Sequence, residues 1–276
     1  MRTSRFFLFS IVAAATVAQA SAAQQSGQEW VEQCRRNHHG DNRQVHCEVR
    51  ESRIPARGSL RIDGEQNGGV SVRTHQGRDI VVQARVQTSA RSAAAAREMA
   101  QRIRVGTDGT IRATGPEQAR GRDQSWGVSY EILVPARTNL DVETRNGPIS
   151  VDGVTGEIDV RAHNGPIALN ELAGDVRARA QNGPITVTLA GRRWSGQGLD
   201  AETVNGPVSV RMPRGYAAHV ESGTVHGPIS VPRSIRTERR EGRRWGPGGR
   251  ISTDINGGGP TIRVVTTNGP VTIREM

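Results

Sequence analysis

Along residues 146–231 apolar and polar positions alternate in short bursts, and the bursts recur. The tetrad Asn-Gly-Pro-(Ile/Val) begins at Asn146, Asn164, Asn182, Asn205 and Asn268, with His226-Gly-Pro-Ile as a variant and Gly259-Pro260-Thr-Ile as a weaker echo. The first three copies are 18 residues apart, the next two steps are 23 and 21, and 42 residues separate 226 from 268. Inside the 18-residue units the columns match: Ile149, Ile167 and Ile185; Val151, Leu169 and Val187; Val154 with Leu172; Gly156 with Gly174; Ile158 with Val176. Self-similarity at a fixed period marks a stacked-repeat architecture.

Each unit holds two stretches of period-two alternation, such as Ile149-Ser-Val151 and Ile158-Asp-Val160-Arg-Ala162, and so predicts two short strands with one apolar face. An Asn-Gly pair ordinarily closes a hairpin, which would give an antiparallel meander. Proline opposes that reading. The residue after such a turn donates its N–H across it, and Pro148, Pro166 and Pro184 have none to give. The tetrad therefore reads as a corner followed by a new strand, where a first-residue proline is tolerated. A unit of two strands and two corners cannot bury its apolar face alone and must stack on its neighbours. The predicted fold is all-β: a parallel β-solenoid of about 18–21-residue coils with two strands per coil. Ile149, Ile167 and Ile185 then form an internal ladder at about 4.8 Å spacing. Outward columns place Asp159 beside Arg177, Glu143 beside Arg161 and Glu157 beside Asp175. Asn146, Asn164 and Asn182 share another column, either as a hydrogen-bonded amide ladder or as left-handed corners.

The earlier half is less regular but of the same kind, with Leu60-Arg-Ile62, Val70-Ser-Val72, Ile80 to Val86 and Val128 to Ile132 as strands and Asn67-Gly68-Gly69-Val70 as a degenerate corner. The alanine-rich stretch near 92–103, opened by Ser92 as N-cap, predicts one inserted helix, and a second short helix fits Gln28 to Arg36. The organisation expected is a signal peptide over 1–20, an N-terminal segment over 21–58, irregular strands over 59–139 and repeats over 140–276, interrupted by a basic insertion at 233–250.

Arg2 and Arg5, the apolar run Phe6 to Val17 and then Ala18-Gln19-Ala20 have the order of a secretory signal. No segment approaches eighteen consecutive apolar residues, so no transmembrane anchor is expected. All basic residues are arginine; without Arg2 and Arg5, 35 remain against 27 acidic residues, a formal +8. Cys34 and Cys47, an even pair in an exported chain, predict a disulfide stapling the N-terminal segment. The competing reading is a metal site, since His38, His39, Asp41 and His46 crowd the same loop, but the spacing fits no closed zinc motif.

The signal, the Cys34–Cys47 segment leading into Glu48-Val-Arg-Glu51, the helix from Ser92 to Ile103 and the glycine-containing corners with Ile/Val-x-Val strands resemble the bacterial β-strand-repeat family of unknown function described as putative adhesins. The resemblance spans nearly all of the mature chain. Family members more often carry Ser-Gly-Asp at the corner than Asn-Gly-Pro. It implies a repeat architecture and an envelope or surface role, and it carries over no active site.

No Gly-x-Ser-x-Gly, His-Glu-x-x-His or phosphate loop is present, and no catalytic residue, cofactor or metal ligand is assigned. The candidate binding residues are in the insertion. Residues 233–250 carry seven arginines against Glu238 and Glu241, and the string Gly-Arg-Arg-Trp occurs there at 242–245 and again at 191–194. Arg239, Arg240, Arg243 and Arg244 with Trp245 suit anionic glycans or envelope polymers, through bidentate guanidinium pairing beside a stacking indole; the alternative is a solvated connector. Nucleic acid is not an expected partner of an exported chain. The sequence thus points to a non-enzymatic, adhesin-like interaction protein of the periplasm or cell exterior. A glycan-active enzyme on one repeat face and a purely structural periplasmic spacer are the alternatives.

Overall fold

The computed structural model describes residues 27–36, 43–117, 124–235 and 248–276. The signal-like segment lies outside them. Helix α1 covers 27–36, and strand β1 (Gln44–Pro55) follows. Next come β2 (Ser59–Asp63), β3 (Val70–Thr74), β4 (Asp79–Ala90), helix α2 (Ala93–Arg102), β5 (Arg104–Gly106), β6 (Thr110–Thr114) and β7 (Ser125–Val134). The repeats supply β8 (Asn139–Asn146), β9 (Ile149–Asp152), β10 (Thr155–Asn164), β11 (Ile167–Asn170), β12 (Ala173–Asn182) and β13 (Ile185–Thr188). The chain ends with β14 (Gly198–Asn205), β15 (Val208–Met212), β16 (Ala218–His226), β17 (Ile229–Ser230), β18 (Gly249–Ile255), β19 (Thr261–Asn268) and β20 (Val271–Glu275).

The two strands of each repeat enter different sheets, so each repeat forms one layer of a two-sheet stack. One sheet has the order β1-β4-β7-β3-β9-β11-β13-β15-β20-β17, the other β18-β16-β19-β14-β12-β10-β8-β2-β6-β5. Successive repeats pair in parallel and in the expected register, with Ile167 beside Ile149 and Ile185 and Ile158 beside Val176. The inward columns of both sheets, including Ile149, Ile167, Ile185, Leu140, Ile158 and Val176, join one apolar core. The whole chain is not a purely parallel solenoid, however. Both sheets are mixed and neither closes: β1, β4 and β7 pair antiparallel at one end, as do β5 with β6, and β16 with β18 at the other.

The corners explain the tetrad. A Cβ built on Gly165 would lie 2.2 Å from the Gly147 carbonyl oxygen, on Gly183 2.2 Å from that of Gly165, and on Gly227 2.0 Å from that of Gly269. Only glycine fits where one corner rests on the next. The corner N–H of Gly147 donates to Asn164 O and that of Gly165 to Asn182 O, and Ile167 N–H donates to Pro184 O. Proline breaks this ladder once per layer by leaving a glycine carbonyl without its backbone donor. Buried threonines fill the gap: Thr144 Oγ1 donates to Gly147 O, Thr203 to Gly183 O, Thr266 to Gly206 O and Thr224 to Gly269 O, at 2.8–3.0 Å. The degenerate corner at Gly68 belongs to the same column, since a Cβ on Gly147 would meet Gly68 O at 2.2 Å.

One arrangement is not sequential, and two assignments are corrected. The layer of β19 and β20 does not follow that of β16 and β17 in space; it lies between it and the layer of β14 and β15, so the Asn205, Asn268 and His226 corners stack in that order. Gly259-Pro260 leads into β19, with Thr261 beside Gly198, and so belongs to the opposite corner from the Asn-Gly-Pro column. Arg250, assigned to the insertion, is a residue of β18. Helix α2 forms as expected, with Ser92 Oγ accepting from Ala95 N–H. Its last carbonyls, Ala100 O and Ile103 O, accept from the Arg50 guanidinium, which suits the negative end of a helix.

Two substitutions test this core. Ile167→Asp puts an unpaired carboxylate among dry aliphatic neighbours and should cost about 3–5 kcal/mol in chemical denaturation, whereas Ser150→Asp, on the outward parity, should change stability by no more than about 0.5 kcal/mol. Gly165→Ala should cost at least the upper end of the ~1–3 kcal/mol overpacking range, because its Cβ meets backbone rather than a side chain that can swing away.

Candidate functional site

The outward face of β8, β10, β12, β14 and β19 is dense in charge, and most of it is paired. Asp141 and Asp159 are register neighbours, an unfavourable like-charge stack that Arg161 bridges by bonding both carboxylates. Arg179 and Arg263 each reach Asp200 at 2.6 Å, Arg263 also reaches Glu202 at 3.3 Å, and Arg177 binds Asp175 at 3.0 Å. Partial burial alone would raise the Asp200 carboxyl, but hydrogen bonds from Arg179 and Arg263 and their charges hold it below its ordinary 3.8. The register pairs Asp159–Arg177 and Glu143–Arg161 are as expected, yet the guanidiniums choose other carboxylates. Glu157 and Asp175 do share a column, with Asp175 engaged by Arg177.

Beside this face runs the asparagine column. Asn164 Nδ2 donates to Asn146 Oδ1, Asn182 to Asn164, Asn205 to Asn182 and Asn268 to Asn205, at 2.7–2.9 Å, and Asn146 closes the row on Gln66 O. None of these asparagines has a positive φ, so the left-handed alternative is excluded. Each amide spends its bonding on its neighbours, which makes the row a structural spine along exposed corners. Arg145, Arg161, His163, Arg179, Gln181 and Val204 line a shallow groove of about 590 Å³ next to it.

The cysteines form the expected disulfide, Cys34–Cys47, tying α1 to β1. Among the described residues no group of three or more potential metal ligands is found, and no helix is long and apolar enough to cross a membrane. Arg239, Arg240, Arg243, Arg244 and Trp245 lie outside the described residues. Their flanks are placed: the chain leaves at Ile235, buried in the core, and returns at Gly248 just before β18, so both ends of the insertion are at the last layer of the stack. The other Gly-Arg-Arg-Trp copy is a solvent-exposed loop at Gly191, Arg192 and Arg193, but its tryptophan is not exposed. Trp194 is 4% exposed and its Nε1 donates to Gly174 O, while Arg193 bridges to Ala217, so this indole anchors its segment to the core. Sequence reasoning missed that role because apolar contact from a segment off the strand pattern leaves no period to read.

Fold and site together define an all-β, disulfide-bonded strand-repeat protein. No protein-family model and no curated protein matches the chain. Solved structures do resemble it. A putative cell adhesion protein from Clostridium sporogenes overlaps 84% of this chain and 100% of its own length, at TM-score 0.42 and 10% identity. Putative adhesins from Bacteroides fragilis and Parabacteroides distasonis overlap 84% and 82% of this chain and 97% of their own lengths, at TM-scores 0.34 and 0.35 and identities of 12% and 10%. The sequence resemblance to strand-repeat proteins described as putative adhesins thus has counterparts among solved structures, and at these scores it says nothing of ligands.

The charge mosaic is tested through Asp200→Asn, which removes the carboxylate shared by Arg179 and Arg263 and leaves both with the Glu202 carboxylate alone. Because the folded carboxyl titrates below its unfolded value, its contribution is complete above about pH 5 and disappears as pH falls through the folded pKa. The variant should be less stable than the parent by about 1 kcal/mol or less at neutral pH, since the pair is part-exposed. Melting curves of the two should converge below pH 3.8.

Proposed function

We propose that this protein is an exported, non-enzymatic interaction module: a two-sided β-solenoid scaffold that holds a basic insertion at one end for contact with anionic glycans or other envelope polymers. A disulfide belongs to an oxidising compartment and agrees with the signal-like N-terminus, which favours the periplasm or the cell exterior.

One observation carries the assignment of the contact region. The guanidiniums of Arg161, Arg177, Arg179 and Arg263 on the repeat face are engaged by carboxylates of the same face, and a polyanion would have to break those pairs to use them. The insertion is different in composition: residues 233–250 hold a net +5, more than half of the mature chain's surplus. Arginine pairs bidentately with phosphate and carboxylate, and a tryptophan beside it adds stacking and cation–π contact.

The test compares the mature parent with the Arg239, Arg240, Arg243 and Arg244→Ser quadruple variant for binding to lipopolysaccharide, teichoic acid and polygalacturonate. Affinity of the parent should fall steeply with salt, since exposed charges are screened within about 8 Å at physiological ionic strength. The quadruple variant should bind at least ten-fold more weakly with its thermal melt unchanged, and Trp245→Ala should lose affinity even at high salt. Unchanged binding in the quadruple variant makes the insertion a connector. Lost binding with a lowered melting temperature makes it part of the scaffold.

A further inference from the structure

At the opposite end of the stack a second, smaller recess lies on the outward face of β4 and β7. Its floor is built from Arg85, Gln87 and Ser89 of β4 and Ser125 and Ser129 of β7, alternate residues on one side of an antiparallel pair. Trp30 of α1 stands over it, with the Arg85 guanidinium 5.8 Å from the indole centroid. Trp30 is one helical turn before Cys34, so the disulfide to Cys47 fixes the indole above this floor; Cys47 is the register neighbour of Gln87. Asn67, Arg43 and the edge of Trp126 complete the wall, and the recess holds about 250 Å³.

Two features mark it as a site. Arg43 and Arg85 line it and no carboxylate does, the Glu131 carboxylate that pairs with Arg85 lying outside the lining. Two polar atoms of its floor also lack partners: Ser89 Oγ, in a residue only 4% exposed, and Arg85 Nε. A buried hydroxyl or guanidinium N–H without a partner is left desolvated and unpaired, a cost that a ligand oxygen would recover. A serine hydroxyl needs only a turn about χ1 to meet it.

We infer that this recess binds a single acidic sugar residue of a glycan chain. An indole with neighbouring hydroxyls and amides suits a polyhydroxylated ring, and the two guanidiniums suit a carboxylate substituent. The volume is below the ~300–1,000 Å³ of drug-sized sites, so it takes one ring and leaves the rest of the chain outside. The inference deepens the proposed function by adding a selective sugar site distant in sequence from the basic insertion, and it does not depend on the insertion binding anything.

The experiment titrates the mature, oxidised protein with tetragalacturonate and, in parallel, with maltotetraose, following tryptophan fluorescence and calorimetric heat. Saturable binding of the acidic tetramer, at least ten-fold tighter than the neutral one, is expected. Ser89→Ala should weaken it about ten-fold while its melting temperature stays equal or rises, because the change removes an unpartnered buried hydroxyl; a purely structural serine would not separate the two readouts. Arg85→Lys, which keeps a cation for Glu131 and removes the Nε donor, should also weaken it. Equal affinity for both tetramers overturns the acidic assignment. Binding that survives Ser89→Ala and Arg85→Lys but is lost in the quadruple insertion variant overturns the recess and leaves the proposed function standing. No tetramer binding while polymers still bind does the same, and absence of both defeats the two together.

Discussion

The approach of one glycine corner to the next is the constraint on which the rest of the structure depends. With a carbonyl oxygen 2.0–2.3 Å from where each Cβ would be, the corner column excludes every side chain and lets the layers approach to hydrogen-bonding distance. Corners stacked in this way hold each layer in one register on the next. One residue of slip would move Ile167 and Leu169 from the core to solvent, so the aliphatic columns and the corners enforce the same alignment. Proline secures the turn from one sheet to the other and removes a donor in doing so. The buried threonines at 144, 203, 224 and 266 answer that loss, whereas Ala162 and Ala180 occupy the same column without a hydroxyl. The asparagine amides then add a second hydrogen-bonded row just outside the backbone ladder.

Electrostatics follow from the same geometry. Parallel, in-register stacking puts identical columns side by side, so like charges meet unless the sequence varies between layers. Asp141 above Asp159 is such a meeting, relieved by Arg161 two positions along, and Arg177, Asp200 and Arg263 show the alternating solution. The face that results is dense in charge yet nearly balanced, which suits a scaffold better than a polyanion receptor. Charge surplus is concentrated where the layer pattern stops constraining it.

Much of this was legible in the sequence, for reasons particular residues make plain. The columns at Ile149, Ile167 and Ile185 gave period, register and interior face, because a two-residue period can only point one way. Pro148, Pro166 and Pro184 distinguished a corner from a hairpin by the N–H they lack. Ser92 announced α2, and the two cysteines announced their bond. Layer order at the C-terminal end was not legible, since the corners at Asn205, His226 and Asn268 are nearly interchangeable as neighbours. Trp194 misled for a related reason: Gly-Arg-Arg-Trp looks solvent-facing by composition, and only the three-dimensional stack reveals Gly174 O as the acceptor awaiting its indole. The recess beneath Trp30 was invisible because its walls come from five separate segments with no common motif.

The interchangeability of those corners has a kinetic corollary. When the layer of β16 and β17 has been laid down, its natural partner, the layer of β19 and β20, is still more than thirty residues downstream in the chain. Until that segment arrives, the layer of β14 and β15 offers β16 a competing surface with the same columns: Thr203 opposite Thr224, Val208 opposite Ile229, Gly206 opposite Gly227. The native arrangement wins because inserting β19 and β20 satisfies two surfaces at once, buries Ile262, Val264, Val271 and Ile273, and brings β18 to the outer edge of β16 as an antiparallel cap. That layer is held by contacts of long sequence separation, whose loop-closure cost is offset by pairing on both of its sides. Stacked repeats normally pair each unit with the one before and after it in sequence, whereas here β19 and β20 join two layers that precede them both, so this part of the core depends on contacts far apart in the chain.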